Sequence, residues 1–198
     1  MTRRRATIAA GLVAVLMLVA GVWQTAPVVH GQETISAKLG LTLSIFNRLL
    51  VGLRTIEIPF TADYTQLFAS GTGANQGNAL FQDDRTLAAS ASENLDFNAS
   101  LTDDFGQSVT CTKLKTLLIK AASGNTNNVL VGGGSTTITT VFSDTSDKVI
   151  VRPGGVFMYT APDSTGAALT AGSADVLTVA NSAGSTSVTY DIVLICVE

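Results

Sequence analysis

Six aspartates are the side chains of this sequence best suited to acid–base chemistry: the adjacent pairs Asp83-Asp84 and Asp103-Asp104, and Asp144 with Asp147. Two carboxylates held across a bond can hydrolyse a glycoside, one as acid and the other as base or nucleophile. In loops rich in Gly, Thr and Ser, however, an aspartate more often folds its carboxylate onto backbone N–H groups of its own turn, and that reading is favoured for these six. A calcium site is the weaker alternative, because no Asp-x-Asp-x-Asp-Gly loop supports it. The single histidine is His30, near the N-terminus. A body without imidazole excludes Ser-His-Asp and Cys-His nucleophiles and His-ligated zinc or non-haem iron. No Ser-x-x-Lys occurs to place a lysine-activated serine on one helical turn.

Gly71-Thr72-Gly73-Ala74-Asn75-Gln76-Gly77 has its third glycine one position too late for a dinucleotide loop, and no Lys-Ser or Lys-Thr follows. It reads as a plain loop, and Gly132-Gly133-Gly134 as a flexible hairpin connection. The expectation is therefore a protein with no catalytic, cofactor-binding or metal-binding residues, and not an enzyme. Cys111 and Cys196 both fall within strand patterns. They are a possible disulfide in an oxidising compartment, or two small buried thiols; sequence does not give their separation in space.

The elements that must position these residues follow from composition. Of 198 residues, 46% are apolar and only 14% charged, while 26 Thr and 16 Ser carry small hydroxyls. That mixture favours strands and turns over charged surface helices. Residues 1–31 are a different material. Arg3, Arg4 and Arg5 precede an uncharged apolar run over residues 6–23, and Val29-His30-Gly31 offers a processing site. This is the pattern of a signal peptide or, if retained, an N-terminal membrane anchor. Residues 32–198 then hold 9 Lys or Arg against 15 Asp or Glu, a charge of -6. An acidic body without a basic stripe argues against nucleic-acid binding.

Apolar residues alternate with polar ones over residues 34–45, which predicts a strand with one face in the core and one in water. The alternation returns at Leu95, Phe97, Ala99 and Leu101, and at Val188, Tyr190, Ile192, Leu194 and Cys196. Residues 114–119 and 149–151 are apolar on both parities, as central strands covered on two sides would be. Residues 46–53 suit a short helix or a strand, and residues 75–91 read as a long loop. Turn signals such as Asp103-Asp104-Phe105-Gly106, Arg152-Pro153-Gly154-Gly155 and Asn181-Ser182-Ala183-Gly184-Ser185 recur at short intervals. Together they predict an all-β chain: an antiparallel β-sandwich or jelly-roll-like single domain over residues 32–198, preceded by an apolar N-terminal helix.

An ordered series of segments resembles a family of small β-rich proteins encoded by tailed bacteriophages. It includes Leu67-Phe68-Ala69-Ser70-Gly71-Thr72-Gly73-Ala74-Asn75-Gln76, Leu101-Thr102-Asp103-Asp104-Phe105-Gly106, Asn125-Thr126-Asn127-Asn128-Val129 and Asp147-Lys148-Val149-Ile150-Val151-Arg152-Pro153-Gly154-Gly155. The resemblance spans residues 35–197 and implies a non-enzymatic virion component, a capsid decoration or tail-associated protein, with no site residues to carry over. The Arg-rich leader departs from that family. The expected partners are further copies of the chain, or other virion or surface proteins, with a membrane met only through residues 6–23. The alternative is an exported cell-surface or glycan-binding module, periplasmic, extracellular or membrane-anchored. For it the strand-mates Phe157 and Tyr159 are the nearest thing to a sugar platform, although they suit sheet packing better.

Overall fold

The hydroxyl-rich, weakly charged composition is realised as a chain that is nearly all β. The computed structural model describes residues 34–51, 53–99 and 101–198. The proposed leader and its apolar helix lie outside the described residues. The strands are β1 (Ser36–Val51), β2 (Arg54–Ser70), β3 (Gln76–Gly77), β4 (Ala79–Leu87), β5 (Ser92–Asp96), β6 (Leu101–Thr102), β7 (Ser108–Val109), β8 (Lys113–Ala121) and β9 (Val129–Gly132). After α1 (Thr139–Phe142), the one helix among the described residues, come β10 (Lys148–Val151), β11 (Val156–Thr160), β12 (Ala167–Ala168), β13 (Val176–Asn181) and β14 (Val188–Val197).

Two antiparallel sheets make the body. One has the order β11-β8-β14-β4, with β12 lying beside β8 on the same edge as β11; the other has the order β10-β9-β13-β5. The period of two along β14 sends Val188, Tyr190, Ile192, Leu194 and Cys196 to one side, and all five are fully buried. They share one core with Leu117 and Ile119 of β8 and with Val129, Val131, Leu177 and Val179 of the second sheet. Each such side chain removed from water contributes about 1.5–3 kcal/mol, so the shared core is the main force holding the sheets together. Strand β8 is central and buried on both parities, as its composition predicts.

Two expectations are corrected. Residues 75–91 are not a long loop, because β4 pairs along β14 from Ala79 to Leu87. Its Gln82-Asp83-Asp84-Arg85 run is weak strand material, and pairing to a long neighbour overrides that preference. Residues 149–151 are not central: β10 is an edge strand, and Ile150 is 60% exposed. Gly132-Gly133-Gly134 does open a hairpin connection, between the antiparallel partners β9 and β10, and that connection is long enough to hold α1. Gly132 adopts φ 102°, and a Cβ there would meet the Asp147 carbonyl oxygen at 2.6 Å, so only glycine fits.

A polar chain ties the two sheets. The Tyr190 hydroxyl on β14 donates to Glu93 Oε1 on β5 at 2.7 Å, and Arg85 on β4 donates to Glu93 Oε2 at 2.6 Å. Burial first, and then the Glu93 carboxylate, hold the Tyr190 phenol well above its ordinary 10.0. In the unfolded chain this tyrosine ionises at its ordinary value, whereas in the folded chain it stays neutral. Its contribution to stability is therefore complete below that value and is lost as the pH rises above it. Urea melts between about pH 9 and pH 11 are expected to show this decline, and Tyr190→Phe to flatten it. Parallel pH profiles for the two proteins would refute the assignment.

Candidate functional site

The structure divides the six aspartates between their own turns and one depression. Asp103 caps its own turn, its Oδ1 accepting the Phe105 and Gln107 N–H groups at 2.9 and 2.7 Å. Asp144 accepts the Ser146 N–H at 2.9 Å, and Asp147 accepts the Asp144 N–H at 3.1 Å. Asp83, Asp84 and Asp104 line a shallow depression with Gln82 and Asp191. There Gln82 donates to Asp104 at 2.7 Å, Arg85 pairs with Asp83 at 3.2 Å, and Lys120 pairs with Asp191 at 2.9 Å. Among the described residues, no group of three His, Cys, Asp or Glu is placed to hold a metal ion.

Turn capping has an electrostatic signature. N–H donation from Ser146 holds the Asp144 carboxyl below its ordinary 3.8, and donation from Gly166 and Thr165 does the same for Asp163. A carbon-detected NMR titration is expected to find both below that value. A raised midpoint at either would point instead to a carboxyl poised as a general acid.

Among the buried polar side chains that sequence reading missed are Lys115, Asn127 and Asn181. Lys115 is fully buried, its ammonium donating to the carbonyl oxygens of Asp163 and of Gly73, the latter at 3.3 Å. Burial lowers its pKa from 10.5. Asn127 and Asn181 are buried against each other, with Asn127 Nδ2 donating to Asn181 Oδ1 at 3.0 Å. All three serve to fix loops. Cys111 and Cys196 are joined in a disulfide, Cα–Cα 5.6 Å, with both residues fully buried.

The feature that the body leaves unexplained is the pair β1 and β2. They are zipped from Ser36–Ala69 to Val51–Arg54, and at about 3.4 Å per residue the ribbon extends roughly 50 Å. Only its base joins the body, through buried Ile35 and Phe68 and a two-residue pairing of β2 with β3. Every described residue from 40 to 65 is exposed. This overturns the expectation that one face of residues 34–45 lies in the chain's own core, and it resolves residues 46–51 as strand.

Cross-strand partners share a face, so the register sorts the exposed side chains. On one face Leu41 lies opposite Tyr64, Ile45 opposite Phe60 and Leu49 opposite Ile56, with Asn47 opposite Ile58 as a polar exception in the middle and Gln66 and Arg54 at its two ends. The other face carries Thr42 opposite Asp63, Ser44 opposite Thr61, and the ion pair Arg48–Glu57 at 2.6 Å. Of the thirteen large apolar residues that the arm exposes, nine fall on the first face, three on the second and one, Leu53, at the turn. The arm is thus amphipathic, with an apolar face that none of the described body covers. Among known proteins, no family model, no curated protein and no solved structure matches this chain.

Proposed function

We propose that this is a non-enzymatic structural protein that acts through subunit contacts, in the manner of a capsid decoration or tail-associated protein of a tailed bacteriophage. Its sandwich-like β body serves as the rigid base. The observation that supports the reading is the arm: soluble proteins rarely expose a continuous apolar surface of this size unless a partner covers it. A two-stranded ribbon is also marginal by itself in water, so the arm gains its order from what it meets.

A second reading is favoured by the disulfide. Such bonds persist in oxidising compartments, which suits a body exported behind residues 1–31 and working as a periplasmic, extracellular or membrane-anchored surface module. A virion protein made in a reducing cytoplasm would close the bond only after release. Phe157 and Tyr159 are half-buried against the core, which leaves little of them for a sugar. Mass spectrometry of density-purified particles, of envelopes and of medium from the source strain separates the two readings. Recovery in particles at a fixed copy number is expected, and recovery in envelope or medium alone would replace the virion with the exported module.

A further inference from the structure

The arm's apolar face and its two open edges need cover at the same time, and one occupant supplies both. The outer edge of β1 is unpaired along its whole described length, and β2 is unpaired on its outer side except at Ala69 and Ser70. Bare edges of this length template the addition of another strand. We propose that the occupant is further copies of this chain. The β1 edge of each arm pairs with the β2 edge of the next, and the ring closes into an antiparallel barrel with the apolar faces turned inward.

Three observations favour this arrangement. The first is area: the nine apolar side chains of the inner face, each roughly half exposed, present on the order of 800 Å², which is one partner's share of a standard stable interface. The second is edge matching. Both edges belong to one ribbon of one length, so head-to-tail pairing leaves no strand bare, whereas stacking two arms face to face would cover the apolar face and leave every edge open. The third is charge. Arg48 and Glu57 neutralise each other within one arm, and with Thr42, Ser44, Thr61 and Asp63 they leave Phe46, Leu50 and Leu67 a minority on the outer face, which suits water better than the inner one does. A barrel whose lumen is filled by side chains has about eight strands or fewer, so two strands per copy give about three or four copies.

The other arrangement of such a hairpin turns its apolar face outward to lipid. A strand pair that crosses a bilayer must deliver a polar turn to the far side. Here the turn is flanked by Leu49, Leu50, Val51 and the fully exposed Leu53, with Arg54 as the one charge. The comparison with and without vesicles described below separates that arrangement from the aqueous ring.

The inference deepens the structural reading proposed above and rests on it for the role of the assembly. Sedimentation velocity and native mass spectrometry of the full chain, with and without vesicles of mixed zwitterionic and anionic lipid, test it. Trimers or tetramers at micromolar concentration are expected without lipid. Ile45→Lys with Ile58→Lys, on the inner face, is expected to abolish them, and Ser44→Lys with Thr61→Lys, on the outer face, to leave them intact. The near-ultraviolet signal of the body should be the same in all three proteins. A monomer or dimer, an oligomer indifferent to the inner-face pair, or assembly only on vesicles would each overturn the proposal. If the oligomer forms but no particle contains it, the virion reading fails and this inference stands. A monomer found on particles would give the reverse.

Discussion

Replacing Cys111 and Cys196 together by alanine is expected to lower the stability of the body by about 3–4 kcal/mol, near the upper end of what single disulfides contribute. The two cysteines are 85 residues apart in sequence, and tying such a loop in the unfolded chain accounts for ~4.5 kcal/mol in the chain-entropy relation. Native-state relaxation takes back part of that. The bond fastens the segment before β8 to the C-terminal end of β14, at the register irregularity between Ile195 and Cys196. It thus holds two neighbouring strands where their ladder is weakest. For a domain of this size the loss corresponds to a fall in Tm of roughly 10 °C. Calorimetry of the oxidised protein, the reduced protein and the double variant checks this. Reduced protein melting with the oxidised form would show that the bond constrains nothing that matters.

Asn181→Ala carries the second large effect, a loss of about 2 kcal/mol, because one side chain makes four hydrogen bonds in a buried setting. Its Nδ2 donates to the carbonyl oxygens of Ala88 and Thr186 at 3.0 and 2.7 Å. Its Oδ1 accepts from Asn127 Nδ2 at 3.0 Å and from the Ala183 N–H at 3.2 Å. Truncation strands the Ala183 N–H, while Asn127 Nδ2 and the Thr186 carbonyl keep their own bond at 3.0 Å and the Ala88 carbonyl keeps the Ala91 N–H at 3.1 Å. Asn181→Asp should be as damaging, since an oxygen would then face two carbonyl oxygens. Urea unfolding gives the magnitude, and hydrogen exchange at residues 182–187 shows whether the loop is released first. A loss below about 1 kcal/mol with unchanged exchange would mean that water replaces the amide there.

The strand pattern was legible wherever one face of a strand meets its own core. Val188, Tyr190, Ile192, Leu194 and Cys196 alternate in sequence and all lie inward, since burial on one side imposes the period of two. Alternation reports that a face is covered and is silent about which chain covers it, so residues 34–45 read as a core strand and proved to be half of a bare arm. Strand β4 was hidden because its Gln-Asp-Asp-Arg run looks like a loop. Its pairing to β14 and the Arg85–Glu93 contact are long-range facts that no local window contains. The turn-capping aspartates were legible because an Asx turn is local, completed within a few residues of Asp103 or Asp144. Asn127 and Asn181 sit in equally turn-like stretches, yet 54 residues separate them and only the folded chain brings them together.

Strand β14 sits between β8 and β4 and forms the middle of its sheet, although it is made after every other described strand. A nascent chain on the ribosome therefore holds two unjoined flaps until residue 197 has emerged, and no shorter product can complete the sheet. Synthesis and tertiary closure are thereby separated in time. The β11-β8-β14-β4 sheet therefore closes last, after the β10-β9-β13-β5 sheet has all its strands by Asn181.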